Sequence, residues 1–71
     1  MSLPKILKKI IDDGYITGSK ISKSSKLSVD HLVSIKALEL KILKKGSRYS
    51  IGNQEIFQAE LASRYPNGLE S

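Results

Sequence analysis

The chain begins with an apolar repeat of helical period. Five residues follow the i, i+3, i+4, i+7, i+8 spacing that places side chains on one face of an amphipathic helix: Leu3, Ile6, Leu7, Ile10 and Ile11. Ser2 can cap the first turn, Pro4 is tolerated within it, and Gly14 can supply a left-handed stop. The pattern therefore predicts a helix over 3–13 that is held by packing of its apolar stripe.

The next stretch predicts a short strand and two further helices. Residues 15–17 are β-formers that suit the edge of a small sheet. Residues 20–27 contain Ile21 and Leu27 as apolar anchors among serines, which predicts a short helix that depends on tertiary contacts. Ser28 is the best N-cap in the chain, and Asp30 would lie in the first turn of the helix that follows, over 29–41.

A hairpin and a last helix complete the pattern. Ile42 and Leu43 are expected to start a strand, residues 44–47 to turn it back, and residues 48–51 to return. In the returning strand Tyr49 and Ile51 share one face. Asn53 can cap a helix that ends at Pro66, and the apolar side chains of that helix are Ile56, Phe57, Leu61 and Tyr65.

Composition narrows the class of protein. With 39% hydrophobic and 27% charged residues, the 71-residue chain is expected to be globular rather than disordered. It has no cysteine for a disulfide or a cysteine-bound zinc ion, and no apolar run near the roughly 20 residues needed to span a bilayer. No nucleophile–base arrangement, glycine-rich phosphate loop or pair of spaced acids is present. We therefore expect an intracellular protein that is not an enzyme and that uses no metal or cofactor.

The charge is positive and uneven. Twelve lysine and arginine residues stand against seven acids, which gives a net charge of +5. Residues 20–26 hold three lysines and no acid, and residues 41–48 hold four basic residues and no acid. A polyanion would bind these two stretches first, whereas the plainer interpretation is a solvated lysine face.

The order of these parts resembles that of a winged helix-turn-helix domain. The similarity covers 6–51, ILKKIIDDGYITGSKISKSSKLSVDHLVSIKALELKILKKGSRYSI. It includes a glycine and a short strand after the first helix, a serine that precedes the recognition helix, and a Tyr-x-Ile strand at the end of the wing. Two departures stand out. The glycine between recognition helix and strand is missing, and the wing is short while the recognition helix has few basic residues. The resemblance implies an α+β fold, in which a three-helix core carries a β-hairpin wing, over 1–52. A C-terminal helix over 53–66 and a tail over 67–71 would follow.

The resemblance also implies how nucleic acid would be held. Phosphates would lie against the second helix, at Lys20, Lys23, Ser24, Lys26 and Ser28. The recognition helix would present His31, Ser34 and Lys36 to base edges in the major groove. The wing would place Lys44, Lys45 and Arg48 over neighbouring phosphates or the minor groove.

The expected function is that of a small transcription regulator or architectural factor that binds double-stranded DNA. Two alternatives stay open: an adaptor winged helix within a larger assembly, and an RNA- or tRNA-binding appended domain. Within the resemblance itself, an excisionase-like variety of the winged helix is a related alternative. Phe57, Leu61 and Tyr65 are expected to cover the first helix, and a homodimer contact through them is the alternative.

Overall fold

The structure is a computed structural model that describes residues 1–69. Within that range, three α-helices pack on one face of a three-stranded antiparallel sheet. In chain order the elements are α1 (Leu3–Asp13), β1 (Tyr15–Thr17), a 3₁₀ turn (Gly18–Lys20), α2 (Lys23–Ser34), β2 (Leu38–Leu43), β3 (Gly46–Ile51) and α3 (Gln54–Arg64). The α+β class predicted from the sequence is confirmed.

The prediction of the first helix is confirmed. Ile6, Leu7 and Ile10 are buried on the stripe that the sequence indicated, and Leu3 is partly buried, whereas Ile11, predicted on the same stripe, is 44% exposed. Gly14 ends α1 in the left-handed conformation with φ 88°, and its N–H donates to the Ile10 carbonyl at 2.7 Å. Ser2 occupies the N-cap position, but its side chain makes no capping hydrogen bond, so that part of the prediction is wrong.

The two helices predicted over 20–27 and 29–41 are wrong, because a single α-helix occupies that region. The 3₁₀ turn takes Lys20, and α2 then runs through Ser28 without a break. Three residues at the spacing i, i+4, i+7 bury one side of the continuous helix: Ser25, Val29 and Leu32. That buried stripe outweighs the preference of Ser28 for a cap. Leu27, expected as an anchor, points away from the stripe and is 82% exposed.

The end of α2 also differs from the prediction. The helix stops at Ser34, and Lys36 adopts a left-handed conformation with φ 72°. Lys36 therefore stands where the resemblance expected a glycine. Strand β2 then begins at Leu38, four residues earlier than predicted. Leu38, Leu40 and Ile42 alternate with polar residues, and this period of two belongs to a strand, although Leu38 also continues a helical spacing from Leu32 and Ile35.

The sheet has the order β1-β3-β2, with both pairings antiparallel. A two-residue turn at Lys44 and Lys45 joins β2 to β3, shorter than the predicted 44–47. Tyr49 faces Ile16 on one side and Leu40 on the other, and it lies on the helix-covered face of the sheet. Ile51 shares that face, as predicted, because successive strand residues alternate between faces.

The last helix begins after Asn53 as predicted, and it ends at Arg64, two residues before Pro66. The Asn53 side chain accepts a hydrogen bond from the Ile56 N–H at 3.0 Å. Phe57 is fully buried, where such a side chain contributes about 1.5–3 kcal/mol to stability. Leu61 and Tyr65 are partly buried against the same core, and the homodimer contact through them stays a prediction. In the predicted tail, Leu69 also packs on the core, and residues 70–71 lie outside the described residues.

Candidate nucleic-acid interface

The exposed side of α2 carries three of the eleven predicted contact residues. Successive helical residues are about 100° apart, so the side opposite the buried stripe is shared by Lys23, Leu27, His31 and Ser34. All four are exposed. The surface is a mixture of a cation, an imidazole, a hydroxyl and an apolar group.

The β-hairpin lies beside the N-terminal half of this helix. The Lys26 ammonium donates a hydrogen bond to the Tyr49 hydroxyl at 2.8 Å and lies 5.4 Å from the centre of the Tyr49 ring. The 3₁₀ turn packs on β3, where a side chain added at Gly18 would meet the Ser47 side chain. These two contacts bring the start of α2, the 3₁₀ turn and the tip-side half of the hairpin to one end of the molecule.

Five lysines lie on the segments that these contacts connect, and we call them the lysine cluster: Lys20 in the 3₁₀ turn, Lys23 and Lys26 in α2, and Lys44 and Lys45 in the hairpin turn. All five are exposed. Within residues 1–69, Lys26 is the member of the cluster that forms an ion pair, with the Asp30 carboxylate at 2.7 Å. The other four have their positive charges uncompensated by an acidic side chain within ion-pair distance in the part of the chain that the structure describes.

Lys26 is held more firmly than its neighbours. Its hydrogen bond to Asp30, and then its hydrogen bond to Tyr49, raise the pKa of the Lys26 ammonium above its ordinary value of 10.5. The ammonium is therefore fully charged at neutral pH, but the Asp30 carboxylate already compensates part of its positive charge. A phosphate would compete with that carboxylate for the same donor.

The serines near the start of α2 have different environments. The hydroxyls of Ser22 and Ser25 donate to the Met1 carbonyl at 2.8 Å and 3.2 Å, which ties the start of the chain to α2. Ser24 shares a 3.2 Å contact with Ser22 and stays exposed, whereas Ser28 lies half-buried inside the helix. Ser34 donates to the carbonyl of His31 at 2.6 Å. Ser24 is thus the predicted serine best placed beside the cluster.

Two predicted contact residues lie elsewhere. Lys36 follows the C-terminus of α2, and its carbonyl accepts the Asn53 N–H at 2.8 Å, at the end of the molecule where α3 begins. Arg48 alternates with Tyr49 and so lies on the sheet face away from the helices. Its guanidinium stacks 4.4 Å from the centre of the Tyr15 ring. The structure therefore does not place Lys36 and Arg48 with the lysine cluster.

Leu27 belongs to this surface, although it was predicted as an apolar anchor. The prediction placed it at the end of a separate helix over 20–27. Because α2 is continuous and buries Ser25, Val29 and Leu32, Leu27 projects into solvent from the middle of the exposed side. The sequence did contain a signal for this arrangement, namely the i, i+4, i+7 spacing of Ser25, Val29 and Leu32, which form the buried side of α2.

Other kinds of site lack support in the described residues. Across residues 1–69, no group of three or more histidine or acidic side chains could hold a metal ion. In the same range no helix is long and apolar enough to cross a membrane. Comparisons with family models, with curated proteins and with solved structures gave no match for this chain.

Proposed function

We propose that this protein binds double-stranded DNA through the exposed side of α2 and the lysine cluster. The proposal is supported by two contacts, Lys26 with Tyr49 and the 3₁₀ turn with β3, which join the three segments that hold the five exposed lysines. Neutralised phosphates release condensed counterions, which supplies most of the sequence-independent affinity of such a surface. The charge of the whole chain, +5, acts in the same direction.

The element order supports a winged-helix version of this proposal. A helix, a short strand, a second helix and a hairpin follow one another, and β3 lies between β1 and β2. In a winged helix the hairpin is the wing and the helix before it enters the major groove. The 3₁₀ turn over Gly18–Lys20 would then replace the second helix of the usual three.

The groove-facing surface would read sequence only weakly. His31 and Ser34 can reach base edges, and Leu27 can meet a thymine methyl group. The Asp30 carboxylate on the same helix repels phosphate and accepts hydrogen bonds only. Phosphate contacts fix position while base contacts fix sequence, so we propose general duplex binding with a modest sequence preference.

The test is fluorescence anisotropy of a labelled random duplex over a series of salt concentrations. Five neutralised phosphates predict a slope of log affinity against log salt of about −4.5. Replacement of Lys23 by alanine, or of Lys44 and Lys45 together, should flatten the slope by about one unit for each lysine removed. Arg64→Gln on α3 is the matched control, because it removes one positive charge outside the cluster.

Three results would contradict the proposal. Absence of duplex binding at low salt would overturn it. A salt slope that flattens as much in the Arg64→Gln control as in Lys23→Ala would assign the effect to net charge rather than to the cluster. Preference for single-stranded DNA or for RNA competitors would favour the RNA-binding alternative.

A second candidate function is supported by a different surface. Leu40 and Ile42 are exposed on the helix-covered face of β2, at the edge of the sheet, and Leu43 is exposed on the opposite face. Exposed apolar side chains at a sheet edge favour contact with another protein. An adaptor role would use this strand and would leave the lysine cluster without a nucleic-acid ligand.

A further inference from the structure

Strand β2 has an open edge that carries unpaired main-chain groups. It lies at the margin of the sheet, with β3 on one side only. Leu43 and Gly46 face each other across the two-residue turn and form the hydrogen-bonded pair that closes it. The same alternation continues through Lys41 and Glu39, and the Gly52 N–H donates to the Ala37 carbonyl at 3.0 Å. The main-chain groups of Leu40 and Ile42 therefore point away from β3.

The side chains of this edge are unusual for an exposed strand. Ile42 is 74% exposed, and Leu40 beside it is also exposed. Both lie on the helix-covered face, at an open groove whose lining includes Val33 and Leu38 together with Lys36, Glu39 and Asn53. An edge of six residues with exposed branched side chains is a template for another strand, unless charges or a bulge prevent it.

We propose that β2 pairs with β2 of a second copy of this chain, which extends the sheet across a twofold axis at Leu40. The two strands would run antiparallel with Leu40 facing Leu40. The residues that point outward would then form the hydrogen-bonded pairs, with about six main-chain hydrogen bonds in total. Ile42 would face Leu38 of the second copy, so its side chain would enter the groove beside Val33.

Charge selects both the partner and the register. In this alignment Glu39 faces Lys41 of the second copy, and Lys41 faces its Glu39, so the outer face gains two opposite-charge pairs. A shift by one residue in the twofold centre would place Lys41 against Lys41, which is repulsive. The strand is thus self-complementary in apolar side chains, in charge and in main-chain polarity, as an isologous contact requires.

The test is sedimentation velocity over a concentration series with a charge-reversal cycle. Glu39→Lys alone and Lys41→Glu alone each turn two attractions into two repulsions, so each should weaken dimerisation by about tenfold or more. The double variant restores opposite charges across the axis and should recover dimerisation close to that of the original protein. Lys45→Glu at the turn is the matched control for the change in charge.

Main-chain pairing has its own test. Leu40→Pro removes an outward N–H that β3 does not use, so the fold should persist by circular dichroism while the dimer is lost. A monomer at every concentration, a dimer that survives Leu40→Pro, or a double charge variant without recovery would each overturn the proposal. DNA binding is measured separately, so either proposal can fail while the other stands.

Discussion

At the scale of single residues, the backbone of Lys36 is the clearest site of strain. It is the one residue other than glycine with positive φ within residues 1–69. A left-handed conformation costs an L-residue about 1–2 kcal/mol, because Cβ crowds the following carbonyl. The turn is nevertheless fixed, because the Lys36 N–H donates to the Val33 carbonyl at 3.0 Å and the Lys36 carbonyl accepts from Asn53.

We therefore predict that Lys36→Gly stabilises the protein. Relief of strain should exceed the extra entropy that glycine gives the unfolded chain, for a net gain of roughly 0.5–1 kcal/mol. Urea denaturation measures the change in the free energy of unfolding. Lys41→Gly, in an extended strand, is the comparison and should destabilise the protein. A loss of stability in Lys36→Gly would show that the side chain, and not its backbone conformation, matters at this position.

Lys26 gives a prediction that depends on pH. Its pKa is raised in the folded state, first by the Asp30 hydrogen bond and then by the Tyr49 hydrogen bond. The stabilisation is therefore fully present below the ordinary lysine pKa of 10.5 and is lost as pH rises through the raised value. The difference in unfolding free energy between the original protein and Lys26→Met should be constant from pH 7 to pH 9 and shrink above about pH 10.5. A difference that does not change with pH would mean that packing alone accounts for it.

At the scale of elements, the sequence predicted α1 and β1 correctly but predicted two helices in the region of α2. The helix α1 and the strand β1 were predicted well, because an unbroken i, i+3, i+4 stripe and a clear glycine stop leave one solution. In the region of α2 two local preferences compete. Ser28 favours a cap, while the buried side of Ser25, Val29 and Leu32 favours continuity, and tertiary packing decides. The placement of Leu27 depended on that choice, so the candidate surface could be predicted only in part.

The continuity of α2 leads to a prediction about two serines. Ser28→Ala removes a hydroxyl from a helix interior, so stability should stay the same or rise by a few tenths of a kcal/mol. Had Ser28 been a cap, its loss would cost about 1 kcal/mol. Ser22→Ala removes the donor to the Met1 carbonyl and should cost about 1 kcal/mol. Chemical denaturation of both variants compares them, and a larger loss for Ser28→Ala would contradict a continuous α2.

At the scale of the whole molecule, the distribution of charge matters more than its sum. The lysine cluster lies at the hairpin-tip end, while Lys36 and Glu55 lie at the opposite end, where α3 begins. Asp30 lies on the exposed side of α2 and holds Lys26 in an ion pair. Among the acids of residues 1–69, Asp30 is thus the one that forms an ion pair with the cluster, through Lys26.

Asp30→Asn should therefore strengthen duplex binding. The change removes a charge that repels phosphate and frees the Lys26 ammonium from its ion pair, so the phosphate contact assigned to Lys26 becomes stronger while the salt slope stays near about −4.5. We expect affinity at low salt to rise roughly 3- to 10-fold, about 0.7–1.4 kcal/mol. Glu55→Gln changes the net charge equally but at the far end, so its effect should be much smaller. Equal gains in affinity for the two variants would mean that duplex binding depends on total charge. That result would contradict binding through the surface formed by α2 and the hairpin tip.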